Sequence, residues 1–124
     1  MNYEAETGED LRKRTKSFAV RITHLYTSLP KSNPAQVFDL QALRSGTSVG
    51  AHYREAVRAK SAPDYVNKLQ GALQELDETA YWLELIVDCK IIPQAKLAPL
   101  MRETDELIAI ITAITTKVKR RLAR

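Results

Sequence analysis

Residues 61–89 read SAPDYVNKLQGALQELDETAYWLELIVDC, and this stretch decides the fold. Ser61 and Asp64 have the spacing of a capping box, in which the serine side chain accepts a hydrogen bond from the backbone three residues later. Apolar residues then recur every three or four positions, which places them on one face of a helix. They are Tyr65, Leu69, Ala72, Leu73, Leu76, Ala80, Leu83 and Val87. The pattern predicts an amphipathic helix over about 62–89.

The same helical period continues on both sides of this stretch. Prolines at 30, 34, 63, 93 and 99 divide the chain into segments. The first helix is predicted over about 8–29, from the capping spacing of Thr7 and Asp10 to Leu29-Pro30. Asn33-Pro34 opens a second helix over about 34–60, with Val37, Leu40, Leu43 and Val57 as its apolar contacts. A fourth helix is predicted over about 95–122. Four long helices with short connections favour an all-α, antiparallel up-down-up-down four-helix bundle, formed by residues 1–124 as one domain.

Composition excludes several classes of protein. The 124 residues contain one cysteine, Cys89, so an intramolecular disulfide is impossible and a reducing compartment is expected. No apolar run is long enough to cross a membrane, and the chain opens with acidic residues, unlike a signal peptide. We therefore expect a cytoplasmic protein with no membrane contact.

No pattern in the chain indicates catalysis. The two histidines, His24 and His52, lack a nucleophile at a supporting spacing. No glutamate is followed three residues later by histidine, as the di-metal bundles require, and phosphate-binding glycine motifs are absent. The sequence thus predicts no catalytic residue, no metal site and no cofactor. A catalytic or metal site at His52, Glu55 and Glu75 is the weakest alternative.

A polar stripe runs along the second helix at helical spacing and is formed by Gln41, Arg44, Ser48, His52 and Glu55. Small residues accompany it, and we expect Gly46 and Gly50 to let another helix approach closely, so that Gly50→Leu disrupts packing. One interpretation is a hydrogen-bonded network, joined by Glu75 or Glu78 of the third helix, that fixes helix register. The other is a ligand or nucleic-acid site.

Positive charge concentrates near both ends of the chain. The formal charge is +6 over residues 11–31 and +4 over residues 93–124, against +4 for the whole chain. Candidate nucleic-acid-binding residues are Arg12, Lys13, Arg14, Lys16, Lys117, Lys119, Arg120, Arg121 and Arg124. The alternative is a solvated helix face together with cations that favour a helix C-terminus.

Together these residues resemble a bacterial family of four-helix bundles encoded by intervening sequences within 23S ribosomal RNA genes. The resemblance covers about residues 11–120. It rests on Gln41, Arg44, Ser48, Glu55-Ala56, Ala72-Leu-Gln-Glu75 and Trp82, together with Arg14-Thr-Lys-Ser-Phe-Ala-Val-Arg21 and Leu29-Pro30. One residue departs from the pattern, because the family usually has asparagine where this chain has His52.

The resemblance implies more than the residue pattern does. Members of the family are similar to the pentameric accessory protein of diversity-generating retroelements, which binds nucleic acid and a reverse transcriptase. A homopentamer is therefore expected. Its possible partners are RNA or DNA and a reverse transcriptase. The expected function is that of a non-enzymatic accessory or scaffold protein. The alternative is a protein–protein interaction module that does not bind nucleic acid.

Overall fold

The structure, a computed structural model, describes residues 4–124, with side chains from Asp10 onward. It contains four helices, α1 Glu4–Ser28, α2 Asn33–Val57, α3 Ala62–Asp88 and α4 Gln94–Leu122, and no strand within that range. The predicted all-α class is confirmed. The α1 backbone is already helical at Glu4, so Thr7 lies inside the helix and not at its cap. The side chain of Thr7 lies outside the described residues.

Contacts between neighbouring helices show how the chain runs. Along α2, Ser45 contacts Thr79 and His52 contacts Gly71, so α2 and α3 are antiparallel. Gly46 faces Ile22 and Gly50 faces Thr15, which makes α1 and α2 antiparallel as well. After a short turn, α4 packs against α3 and, less extensively, against α1. These contacts and short connections fit the expected up-down-up-down order.

The predicted cap of α3 is present, since the Ser61 hydroxyl accepts a hydrogen bond from the Asp64 backbone N–H at 3.2 Å. The core forms along the predicted apolar stripes. Its fully buried side chains include Phe18, Leu69, Leu76, Leu83, Leu107 and Ile111. Burial of one such side chain contributes about 1.5–3 kcal/mol. None of the helices within residues 4–124 combines the length and the apolar character that crossing a bilayer requires.

The inward face of α2 differs from the predicted one. Val37 and Leu40, expected as core contacts, are each 55% exposed. The buried positions are mostly small: Ala35, Asp39, Ala42, Ser45, Gly46, Val49, Tyr53 and Ala56. The small side chains let α2 approach both neighbouring helices. The expectation for Val37 and Leu40 was wrong because the small-residue face, and not the most apolar one, is turned inward.

The close approach predicted for the glycines occurs at Gly46. A Cβ added there would lie 2.8 Å from Ile22 Cγ1, closer than real side-chain contacts allow. At Gly50 the nearest atom, Thr15 Oγ1, would be 3.4 Å away, which is an ordinary contact distance. Gly46 is therefore the position where α1 requires a glycine.

Candidate nucleic-acid interface

The candidate cations of α1 and α4 lie in the half of the bundle where α1 begins and α4 ends. In an up-down-up-down arrangement, the first turns of α1, the last turns of α2 and the last turns of α4 share an end. We give the name basic end to eight cations of these three helices, although Lys16 lies at the middle of α1. They are Arg12, Lys16, Arg54, Lys117, Lys119, Arg120, Arg121 and Arg124. Folding thus brings cations from distant parts of the chain into the same half of the bundle, where they line two separate cavities.

The last turns of α4 supply five of these cations, and all five are exposed. An open cavity of about 610 Å³ lies along this part of the helix, lined by Ala113, Thr116, Lys117, Arg120, Arg121 and Arg124. Cations at a helix C-terminus also interact favourably with the helix dipole. The same positions therefore serve helix stability and present positive charge to solvent.

A second basic cavity lies in the groove between α1 and α2. It measures about 340 Å³, and Arg12, Lys16 and Arg54 contribute its cationic side chains. Ala19, Gly50 and Ala51 are among the small residues that line it and leave its floor open. Sequence reasoning missed Arg54, although its position four residues after Gly50 on the same helix was an available signal.

Arg14 forms an ion pair between two helices. Its guanidinium donates to Glu103 of α4 through Nη2, 2.6 Å from Oε1, and through Nε, 3.2 Å from Oε2. Glu106 lies farther away, at 3.8 Å. The hydrogen bond with Glu103 raises the pKa of Arg14 above its ordinary value. Arg14 therefore joins α1 to α4, and we do not count it in the basic end. Lys13 is exposed but lines neither of the two cavities.

The polar stripe of α2 divides into two groups. In the first, Arg44 donates to Gln41 Oε1 at 3.2 Å and to Glu75 Oε2 at 3.5 Å, and it also pairs with Glu78. Trp82 Nε1 donates to the same Glu78 carboxylate at 3.5 Å. This group bridges α2 and α3 on the outside of the bundle.

The second group surrounds His52. Its Nδ1 lies 3.9 Å from Glu55 Oε2, and Lys68 Nζ lies 3.8 Å from the same oxygen. Ser48 belongs to neither group, because its hydroxyl donates to the Arg44 carbonyl of its own helix at 2.7 Å. Among residues whose side chains are described, no cluster of three or more His, Cys, Asp or Glu could hold a metal ion.

A buried polar contact between α2 and α3 was not singled out from the sequence. Ser45 Oγ and Thr79 Oγ1 lie 2.7 Å apart, and both residues are fully buried. A buried hydroxyl pair is favourable only when the two groups face each other, so it ties the register of one helix to the other. The predicted role of a polar network, to fix the register of the helices, therefore fits this buried pair better than the exposed Arg44 group.

Large apolar side chains remain exposed beside the Arg44 group. We call Val37, Leu40, Tyr81 and Trp82 the α2–α3 apolar surface. Val37 and Leu40 are each 55% exposed and Tyr81 is 54% exposed. Trp82 packs between Phe38, with ring centroids 6.0 Å apart, and Tyr81, at 5.2 Å. These side chains give the outside of α2 and α3 the apolar character that is typical of interaction surfaces.

Comparison with known proteins identifies the family. The family model described as 23S rRNA-intervening sequence protein matches residues 9–113. The chain belongs to this family. This 23S rRNA-intervening sequence protein is similar to a solved structure, that of a protein of unknown function from the S23 ribosomal protein family of Bacteroides thetaiotaomicron. The two are 38% identical with a TM-score of 0.79, covering 84% of this chain and 96% of that chain. No curated protein matches the chain.

Proposed function

We propose that this protein is a non-enzymatic, cytoplasmic accessory or scaffold protein that forms a homopentamer and binds RNA or DNA through its basic end. The observation that carries the proposal is the run of five exposed cations on the last turns of α4, to which the groove between α1 and α2 adds a second basic cavity. Membership of the 23S rRNA-intervening sequence family gives a context in which ribosomal RNA is the natural first ligand to test.

The chemistry at the basic end suits phosphate oxygens better than base edges. Lysine and arginine side chains on helix surfaces neutralise phosphates and release counterions, which makes affinity depend steeply on salt. Contacts to phosphates position the nucleic acid but carry no sequence information. The proposed binding is therefore strong at low salt, weak at high salt and similar for unrelated sequences.

A charge-matched pair of variants tests which end of the bundle binds. Arg120→Gln with Arg124→Gln removes two exposed cations from the basic end. Lys90→Gln with Lys96→Gln removes two exposed cations from the α3–α4 connection and the first turn of α4, at the opposite end of the bundle. Anisotropy of a fluorescently labelled 23S rRNA hairpin should show a loss of affinity of about tenfold or more for the first variant. Equal losses for both variants, or no RNA binding by the wild type, would remove the basic end from the proposal.

Self-association is supported by the α2–α3 apolar surface and by the resemblance to a pentameric accessory protein. Leu40→Lys with Tyr81→Lys places charge in this surface, whereas Val20→Lys alters an apolar residue that is 46% exposed on α1. Native mass spectrometry should give a pentamer for the wild type and for Val20→Lys. The double variant should give monomers. A monomeric wild type would contradict the oligomer.

The α2–α3 apolar surface also supports a second candidate function, a protein–protein interaction module. The resemblance to the retroelement accessory protein makes a reverse transcriptase one partner to consider. This function is favoured if the oligomer is intact, the protein binds no RNA or DNA at low salt, and its capture of a defined protein partner is insensitive to nuclease.

A further inference from the structure

A buried carboxylate without a hydrogen-bond partner lies at the end of the bundle opposite the basic end. Asp39 of α2 is only 4% exposed, yet its Oδ1 accepts no hydrogen bond. An unpaired buried carboxylate is costly, since burial removes its hydration without replacing it. Burial accordingly raises the pKa of Asp39 to about 6. The positive charge of Lys31 lowers this pKa and so opposes part of the shift.

A cavity adjoins this carboxylate. It has a volume of about 260 Å³ and is lined by Tyr26, Lys31, Gln36, Asp39 and Leu40. Tyr26 comes from the last turns of α1, Lys31 from the α1–α2 connection, and the other three from the first turns of α2. The walls of the cavity thus supply an aromatic ring, an amide and a carboxylate.

One wall of the cavity already holds a cation. Lys31 Nζ lies over the Tyr26 ring, 5.2 Å from its centroid, in a cation–π contact. The ammonium group occupies the aromatic face but leaves Asp39 Oδ1 without a hydrogen-bond donor. A planar cation with several N–H groups would supply both charge and hydrogen-bond donors to the Asp39 carboxylate where it lines the cavity.

From this geometry we propose that the cavity between Tyr26 and Asp39 is a binding site for a small organic cation that carries a guanidinium group. The Asp39 carboxylate accepts its N–H groups, Gln36 offers an additional acceptor, and the Tyr26 ring contacts its face. Divalent metal ions fit poorly, because Ca²⁺ takes six to eight oxygen ligands and the cavity offers few. The site does not depend on the proposed nucleic-acid binding.

Lys31 competes for this site. Its ammonium covers the Tyr26 face and repels an incoming cation, while Asp39 attracts one. The two residues should therefore affect binding in opposite directions, a pattern that a purely structural role of either residue would not produce. Asp77, an exposed aspartate on α3, provides a matched control for the loss of one negative charge.

Titration with methylguanidinium chloride, followed by backbone ¹H–¹⁵N spectra of the full chain at pH 7.5, tests the proposal. Amides of Tyr26, Lys31, Gln36 and Asp39 should shift and saturate with a Kd on the order of 1–10 mM, as befits a ligand of few atoms. Methylurea, the neutral analogue, and sodium chloride at equal ionic strength should give no saturating shift.

Three variants complete the test, each checked for an intact fold by the spectrum of its remaining amides. Asp39→Asn should weaken binding about tenfold or more, Lys31→Met should strengthen it several-fold, and Asp77→Asn should leave it unchanged. The proposal is overturned if methylguanidinium gives no saturating shift or if methylurea binds equally well. Unchanged affinity in a folded Asp39→Asn variant would overturn it too.

Discussion

Arg14 of α1 and Glu103 of α4 form a two-point ion pair, with N–O distances of 2.6 and 3.2 Å. The pair lies between α1 and α4, which pack less extensively than the other neighbouring helices do. Their side chains are 26% and 16% exposed, so solvent screens the pair only in part. Bidentate arginine–carboxylate pairs have a fixed geometry as well as charge. The pair therefore sets how α4 closes the bundle against α1.

Loss of this pair should lower stability by a measurable amount. We expect Glu103→Gln to reduce the free energy of unfolding by about 1 kcal/mol, because one charge-assisted hydrogen bond is lost in a partly exposed setting. Glu106→Gln is the control, since Glu106 is 66% exposed and 3.8 Å from Arg14. For Glu106→Gln, urea denaturation should show a loss of less than about 0.5 kcal/mol in the free energy of unfolding. Equal losses would show that the close pair has no special role.

His52 and Gly71 should be energetically coupled. A Cβ added to Gly71 would lie 2.8 Å from His52 Nδ1, so the imidazole occupies the space of the missing side chain. Gly71→Ala should therefore cost about 1 kcal/mol in the wild type, although alanine is the better helix former. In a His52→Asn background, the same change should be neutral or stabilising by up to about 1 kcal/mol.

Thermal or urea unfolding of the four proteins in this cycle gives the coupling energy. Ser48→Ala replaces His52→Asn in a control cycle, because Ser48 bonds only within its own helix. We expect a coupling near zero there. A zero coupling between positions 52 and 71 as well would show that the imidazole moves aside at no cost.

Asp39 should make stability depend on pH. Its pKa is about 6 in the folded protein, against an ordinary value of 3.8. Between these values the folded state binds more protons than the unfolded state, so this residue's contribution to stability falls as pH rises from about 4 to about 6. Above that range, the buried charge costs on the order of 2–3 kcal/mol.

Comparison with Asp39→Asn isolates this contribution. At pH 7.5 the variant should be more stable than the wild type by about 1–2 kcal/mol, less than the full cost because the amide is also left unpaired. At pH 4 the difference should largely disappear. Urea denaturation at the two pH values provides the measurement, and a difference that does not change with pH would mean that Asp39 is not the titrating group.

Periodicity and the positions of the prolines predicted the four helices, because both depend on residues close in sequence. Of the predicted caps, the one of α3, formed by Ser61 and Asp64, is present in the structure, whereas Thr7 lies inside α1. The inward face of α2 was harder to predict. Val37 and Leu40 are the more apolar residues, but packing at Gly46 turns the small residues inward, and that depends on Ile22 of another helix.

The site was only partly accessible from sequence for the same reason. Cationic clusters are visible in composition, yet whether a cation faces solvent depends on partners far along the chain. Arg14 pairs with Glu103, 89 residues away, and no local pattern reveals that contact. Asp39 likewise looked like an ordinary helix residue until its burial beside Tyr26 was known.

The salt dependence of RNA binding tests the central claim most directly. The logarithm of affinity should fall linearly with the logarithm of salt concentration, with a slope of about 0.7–0.9 for each phosphate contact. Replacing Arg120 and Arg124 by glutamine should reduce that slope by about 1–2, whereas replacing Lys90 and Lys96 should leave it unchanged. A slope that is the same in all three proteins, or an affinity insensitive to salt, would contradict binding at the basic end.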